Sequence, residues 1–301
     1  MVRDEELAIV RRAYAKQTLA QVQIDDPRLE LAFATVRRED FLGPGPWVIP
    51  RWLGGRVPTP SADPVYLYID GVVQIIAERR LNNGQPSGHA RWIASACIED
   101  GDHVVHVGTG TGYYTAIMAL LAGPSGKVTG IEIDPGLAAR SRANLSSFAN
   151  VQVIEGDGAV APFETANVIY VNAGATRPAD AWLDGLAEGG RLILPLTTDG
   201  GFLHLPQTPN RGSLSKHGSE PIEKHGAMFR IERRARNFLA QWITPVAIIP
   251  CESCRDAESE AALSAAFGKG GWEKVTRLYR QDDIPEDRIW LRAPGWCLSY
   301  A

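Results

Sequence analysis

The chain has 301 residues, and its 31 Lys and Arg against 35 Asp and Glu give a formal charge of −4. With 45% hydrophobic and 22% charged residues, it has the composition of a globular protein long enough to bury a sizeable core. No apolar run approaches the ~18 residues that a bilayer span needs, and four cysteines do not make a disulfide framework in a chain this long. The start, Met1-Val2-Arg3-Asp4-Glu5-Glu6, is charged at once, so no secretory signal is expected there. Nothing in a mildly acidic balance favours phosphate binding. These features predict a cytoplasmic protein with neither nucleic acid nor membrane as its partner.

Glu5–Gln17 reads as an amphipathic helix, because Leu7, Val10 and Tyr14 recur at i, i+3 and i+7 among charges. A second helix is predicted over Asp26–Val36. Gly43-Pro44-Gly45-Pro46 breaks the chain, and the Pro-, Gly- and Trp-rich stretch to Ala62 reads as irregular. From about Gly101 to Leu196 short apolar runs alternate with helical ones. Strands are predicted at His103–Val107, Lys127–Ile133, Val151–Ile154, Val168–Val171 and Arg191–Leu194, and helices at Tyr113–Ala122, Leu137–Phe148 and Ala181–Leu186. That alternation predicts an α/β fold, a mostly parallel sheet with helices on both faces and ligands at the carboxyl ends of the strands. Polar Thr208–Glu220 is predicted to be a mobile loop or hairpin. Val246–Ile249 is predicted as a strand, Ala257–Phe267 as a helix, and Ile289–Leu291 and Cys297–Tyr300 as closing strands. The expected organisation is an N-terminal helical and irregular cap over residues 1–80, a core over 81–200, and a C-terminal α+β extension over 201–301 packed on that core.

The densest chemical signal is Val105-His106-Val107-Gly108-Thr109-Gly110-Thr111-Gly112-Tyr113. A strand feeds three alternate glycines and a helix follows. Glycine permits a sharp turn and close approach to a ligand, and the N–H groups of a helix start favour an electron-rich group. The next strand ends in Gly130-Ile131-Glu132-Ile133-Asp134, which puts the Glu132 carboxylate where it can accept from both hydroxyls of a ribose. The third strand ends in Glu155-Gly156-Asp157-Gly158, where Asp157 can accept from an adenine amine and Gly158 leaves the base room. A dinucleotide loop runs G-x-G-x-x-G, whereas this one runs G-x-G-x-G. The set Gly108, Thr109, Gly110, Thr111, Gly112, Glu132, Asp157 and Gly158 therefore fits S-adenosylmethionine better than NAD. The bland alternative is a tight βα turn with a surface Glu and a turn Asp.

Arg12 to Leu196 resembles the protein-L-isoaspartate O-methyltransferase family. Val36-Arg37-Arg38-Glu39-Asp40-Phe41-Leu42 resembles an early family segment, and Gly84-Gln85-Pro86-Ser87-Gly88-His89-Ala90 lies where the family has Ser-x-Pro-His-x-His-Ala. Gly108–Thr115 resembles the glycine loop, Glu155–Gly158 the GDG turn, and Ala161-Pro162-Phe163 with Leu186 and Gly189–Pro195 the closing segment. With Pro86 on the family's Pro, the active-site Ser falls on Gly84, and a family aspartate falls on Asn167. The resemblance implies a Rossmann-like S-adenosylmethionine methyltransferase fold, and a protein or peptide substrate with a free side-chain carboxylate, isoaspartyl in the repair enzymes.

Methyl transfer to a carboxylate needs no general base, because a reference pKa of about 4 leaves it ionised at neutral pH. The enzyme has to align oxygen, methyl carbon and sulfur and exclude water. Gly84, Gln85 and Ser87 are the candidate catalytic residues and Asn83, Pro86 and His89 the candidate substrate residues. Asn83, Gln85 and Ser87 carry donors for a carboxylate, and Gly84 is expected to leave its N–H exposed. The alternative is that Asn82-Asn83-Gly84 is only a turn. No metal is expected. His103 and His106 fall on opposite faces of one strand, and Cys251-Glu252-Ser253-Cys254 is a single C-x-x-C without a second ligand pair. Arg230, Arg233, Arg234 and Arg236 read as a solvated face or as a guide for an acidic peptide. Besides carboxyl methylation of the repair type, two further readings stand: a tailoring methyltransferase for a dedicated peptide carboxylate, and an altered module that binds cofactor or a partner. An NAD oxidoreductase is disfavoured by the glycine spacing.

Overall fold

The computed structural model describes residues 4–51, 55–200, 224–280, 284 and 286–300. Thr208–Glu220, with its expected loop or hairpin, lies outside the described residues. The chain forms two compact units, Met1–Val104 with Thr109–Gly156, and Val105–Gly108 with Asp157–Ala301.

The first unit opens with α1 (Asp4–Gln21) and α2 (Pro27–Thr35). Asp26 caps α2, its Oδ1 accepting from the N–H groups of Arg28 and Leu29 at 2.9 and 3.0 Å, and Pro27 needs no partner at the first helical position. α3 (Glu39–Leu42) follows. The stretch expected to be irregular instead holds an antiparallel pair, β1 (Val48–Arg51) with β2 (Gly55–Pro58). Trp47 and Ile49 there join a small buried cluster with Leu42, Leu67 and Val73, and that burial favours regular pairing in a sequence whose Pro and Gly suggest irregular structure. β3 (Gln74–Ile76) pairs with β4 (Leu81–Asn82).

Helix α4 (Pro86–Ala96) was not expected. It begins just after the Asn82-Asn83-Gly84 turn candidate, with Pro86 at the helix start and Ala90, Ile93 and Ala96 burying one face. β5 (His103–Val107), α5 (Tyr113–Ala122), β6 (Lys127–Glu132), α6 (Pro135–Asn144) and β7 (Val151–Glu155) follow, each where a strand or helix was expected. β6 and β7 run parallel, with Val128 opposite Val151 and Glu132 opposite Glu155. Their carboxyl ends therefore lie side by side, and Gly156 N–H donates to the Glu132 carbonyl at 2.9 Å.

The second unit contains β8 (Ala166–Val171), α7 (Asp180–Gly185), β9 (Leu186–Thr197), β10 (Gly226–Arg234), β11 (Asn237–Pro245), α8 (Ala257–Lys269), β12 (Arg277–Tyr279), β13 (Ile289–Ala293) and β14 (Trp296–Ser299). β8 and β9 are parallel. Antiparallel strands then continue in the order β9-β10-β11-β12-β14-β13. The α/β class is thus the one expected, with parallel pairing first and an antiparallel addition after it. The strand expected at Val246–Ile249 is absent. Pro245 and Pro250 bracket that apolar run, and a residue with no N–H ends a ladder. The run is tied instead through single bonds, from Val246 N to Gly226 O at 3.1 Å and from Gly174 N to Ile249 O at 2.8 Å. Helix α8 buries Phe267 against Trp290 of β13, ring centroids 5.6 Å apart.

The three arginines of β10 have local partners. Arg230 and Arg234 both pair with Glu232, and Arg233 donates to the Leu186 carbonyl at 2.7 Å. This engagement fits a structural face better than a guide for substrate.

His106 is fully buried beside Tyr170, and burial lowers its pKa to about 3. The neutral ring is the folded form, so the stability present above the unfolded value of about 6.5 is lost as pH falls toward about 3. Between pH 6.5 and 5.5 the loss is expected to be ~1 kcal/mol, a window above the carboxylate range. Urea titrations at both pH values should show it in the wild type and show it diminished in His106→Phe.

Candidate active site

The three alternate glycines do different work. All have positive φ, at +77°, +60° and +98°. A Cβ at Gly108 would press on the Asn172 carbonyl at 3.2 Å, and one at Gly112 on Leu145 and Ser141 of the α6 region at 2.8 and 3.0 Å. Those two allow close packing. A Cβ at Gly110 would meet nothing within 4 Å, so the middle glycine alone of the three faces open space, where a ligand can approach the backbone.

Thr109 and Thr111 are buried. Thr109 donates through N and Oγ1 to the Ile131 carbonyl at 3.3 and 3.2 Å, and the Thr111 carbonyl accepts from Asn144 Nδ2 at 2.9 Å. Their contribution is to shape the loop. Glu132, 5% exposed, accepts from Gly110 N–H on Oε2 at 2.7 Å and from Asp134 N–H on Oε1 at 3.1 Å. Burial raises its pKa, and the same two N–H groups oppose the rise. Each oxygen keeps acceptor capacity beyond those bonds, as a pair of vicinal hydroxyls requires. Asp134 caps α6 through Leu137 N–H at 2.8 Å and is clamped by Arg79.

In the second unit, Asp157 Oδ1 accepts from Ala159 N–H at 2.9 Å and from the Ser253 hydroxyl. Gly158 is buried; its carbonyl accepts from Trp182 Nε1 at 2.7 Å, and a Cβ there would strike Val107. Ser253 sits inside the C-x-x-C segment. Cys251 and Cys254 are free, buried thiols. The hydrogen bond from Cys254 lowers the Cys251 pKa to about 6 and raises that of Cys254.

The segment Asn83–His89 is drawn together, but differently from the sequence expectation. Gly84 N–H, expected to be exposed, donates to Asn82 Oδ1 at 2.8 Å. The Gly84 carbonyl accepts from Tyr114 Oη at 3.3 Å, which ties the segment to the first turn of α5, beside the glycine loop. Gly84 has φ +74°, and a Cβ there would lie 2.7 Å from His89 Cδ2 and nearer still to Nε2. His89 cannot easily yield, being buried and stacked on Tyr114 with centroids 3.6 Å apart. Asn83 turns inward and accepts from Val73 N–H at 2.8 Å and Arg38 Nη2 at 3.2 Å. Pro86 is buried at the start of α4.

Gln85 and Ser87 both donate to Asp70, a residue the sequence gave no reason to single out. Asp70 Oδ2 accepts from Gln85 Nε2 and from Ser87 Oγ, each at 2.8 Å, and Oδ1 accepts from Ser87 N–H at 2.8 Å. Arg38, fully buried, shapes that loop from beneath. It donates to the carbonyls of Leu67, Ile69 and Gly71 at 2.5, 3.0 and 2.7 Å. Arg38 lies in the early segment on which the family resemblance rests, and that was its signal. Asp70 and Ser253 had none, because their partners are distant in sequence.

The sequence pattern described as Protein-L-isoaspartate(D-aspartate) O-methyltransferase matches residues 59–217. The chain is 49% identical over 107 residues to the protein-L-isoaspartate O-methyltransferase of Anaeromyxobacter dehalogenans strain 2CP-1, covering 33% of this chain and 48% of that one. It is 34% identical over 208 residues to protein-L-isoaspartate O-methyltransferase 2 of Marinobacter nauticus, covering 67% of this chain and 84% of that one. For the first relatives, the match spans only about half of their length, 48% and 56%. A solved structure of a putative Plasmodium falciparum protein-L-isoaspartate O-methyltransferase, in complex with S-adenosyl-L-homocysteine, superposes with a TM-score of 0.58 at 18% identity. It covers 80% of this chain and 98% of that chain, and at that identity the likeness establishes the Rossmann-like α/β fold alone. A family pattern spanning more than half of the chain, joined to a relative about one-third identical across two-thirds of it, leaves one assignment: this chain belongs to the protein-L-isoaspartate(D-aspartate) O-methyltransferase family.

Proposed function

We propose that the chain is an S-adenosylmethionine-dependent O-methyltransferase acting on a side-chain carboxylate of a protein or peptide, of the isoaspartyl repair type. Family membership supports the reaction class. The observation that carries the cofactor assignment is Glu132 gripping the Gly110 N–H at 2.7 Å while Gly110 faces open space. Glu132 would hold the ribose hydroxyls, the backbone at Gly110 would lie along the cofactor, and Asp157, next in the chain to Gly156, would accept from the adenine amine. The cofactor supplies an electrophilic methyl group on a sulfonium. The protein's part is to orient an already ionised carboxylate and exclude water.

The test is incubation with labelled S-adenosylmethionine and an isoaspartyl peptide beside its Asp twin. Label on the isoaspartyl peptide alone is the expected result, and label on neither would end this reading. A second reading, a dedicated peptide carboxylate, draws on Gly84 at the family's Ser position and on residues beyond 217, outside the family match. Label transferred only to another carboxylate peptide would favour it.

The extension also bears on the cofactor reading. Ser253 engages one oxygen of Asp157, which leaves Oδ2 for the adenine. Ser253→Ala is expected to weaken S-adenosylhomocysteine binding about 3- to 10-fold, the scale of an ordinary intramolecular hydrogen bond, with Ser253→Thr close to wild type. Calorimetry reads this directly, and an unchanged Kd in the alanine variant would remove the extension from the cofactor site.

A further inference from the structure

We propose that Asp70 is a specificity-determining residue, an internal carboxylate seated on the donors that the acceptor's carboxylate would otherwise take. The proposal rests on the carboxyl methyltransferase reading above. Its basis is the donor inventory of the Asn83–Ser87 segment. Ser87 N–H and Oγ and Gln85 Nε2 all point to one carboxylate, that of Asp70, at 2.8 Å. Gly84 N–H is taken by Asn82. Asn83 is 8% exposed and spends its oxygen on Val73 and Arg38. A segment that looks in sequence like a set of open donors is, in the fold, a nest already holding an anion.

The nest is tied to the helix that follows the glycine loop. Tyr114 Oη donates to the Gly84 carbonyl, and Tyr114 belongs to the first turn of α5, two residues beyond Gly112. The anion is also held firmly. Arg38 grips the carbonyls of Leu67, Ile69 and Gly71, on both sides of Asp70, so the backbone is fixed and only the side chain is left to swing.

Two carboxylates sharing one set of donors repel each other and divide its hydrogen bonds. An acceptor carboxylate therefore gains Gln85 and Ser87 only when Asp70 rotates away. A peptide that merely carries a carboxylate competes poorly, and one with further contacts pays for the rotation. Asp70 in this way discriminates against nonspecific acidic side chains.

The experiment compares wild type, Asp70→Asn and Asp70→Glu. Each is loaded with S-adenosylhomocysteine, binding of the isoaspartyl peptide and its Asp twin is measured by calorimetry, and turnover is measured with labelled cofactor. Asp70→Asn keeps the size, removes the charge and sets an NH2 group against part of the donor set, so both peptides are expected to bind about 5-fold tighter or more, with the gap between them narrowed. KM falls in step while kcat stays within about two-fold. Asp70→Glu retains the charge and is expected to stay near wild type. The S-adenosylhomocysteine Kd is unchanged throughout. If Asp70 only caps α4, Asp70→Asn lowers the melting temperature and leaves peptide affinity and KM unchanged or worse, and the proposal is overturned. Absence of turnover in every variant, with peptide binding still tightened in Asp70→Asn, would sink the enzymatic reading while upholding the role of Asp70.

Discussion

Glu132→Ala is expected to lower the affinity for S-adenosylhomocysteine by at least 100-fold, enough to erase the calorimetric signal at micromolar protein. Two hydroxyl bonds to an ionised acceptor are worth about 1.5–3 kcal/mol each, and ~1.4 kcal/mol is a factor of ten. The carboxylate also organises the loop, since Gly110 N–H and Asp134 N–H both donate to it. Glu132→Gln is not a silent control. An amide offers one acceptor oxygen where two N–H donors converge, so one donor would face an NH2 group. It is expected to fall between wild type and the alanine variant. Glu132→Ala protein that is folded by circular dichroism and binds with a Kd within a few-fold of wild type would remove this crevice from the cofactor account.

Gly84→Ser restores the residue that the family resemblance places there, and it is expected to destabilise the protein by about 3 kcal/mol without increasing turnover. Two costs add. A non-glycine residue at φ +74° carries strain of roughly 1–3 kcal/mol. The new Cβ would also press on His89, and such overpacking costs typically 1–3 kcal/mol. His89 has little room to yield, stacked on Tyr114 and set edge-on to Trp92 with centroids 5.1 Å apart. A fall in Tm of roughly 5 °C is expected. The double variant Gly84→Ser/His89→Ala tests the cause, because removing the ring relieves the contact and leaves the backbone strain. A strongly non-additive cycle would locate the cost in the Gly84–His89 contact. A stable, more active Gly84→Ser protein would show that the glycine is incidental.

The region of the glycine loop was legible because its signals are local. Apolar runs at His103–Val107 and Tyr113–Ala122, with glycines between them, coincide with β5 and α5 residue for residue. Glu132 ends β6, where the spacing puts it. The antiparallel addition was legible only in part. Ala257–Phe267 has helical periodicity, and Asp256 caps it through Ser259 N–H at 2.7 Å. The long hairpin of β10 and β11 was hidden, because its arginines interrupt the alternation and their partner Glu232 lies within the same strand. Val246–Ile249 failed in the opposite direction. Its composition favours a strand, but the flanking prolines deny it a ladder.

Composition and spacing along the chain were enough for the class of fold, the glycine loop and the acidic strand ends, since a glycine turn and a carboxylate at a strand terminus are properties of neighbouring residues. The fate of each donor was settled by folding alone. Seventeen residues separate Asp70 from Ser87 and 96 separate Ser253 from Asp157, and no local preference encodes which remote oxygen a given N–H or hydroxyl will meet. Hydrogen-bond satisfaction in a packed interior is decided by what the rest of the chain brings alongside. That is why Gln85 and Ser87, read in isolation as open hands for a substrate, are found holding a carboxylate of their own protein.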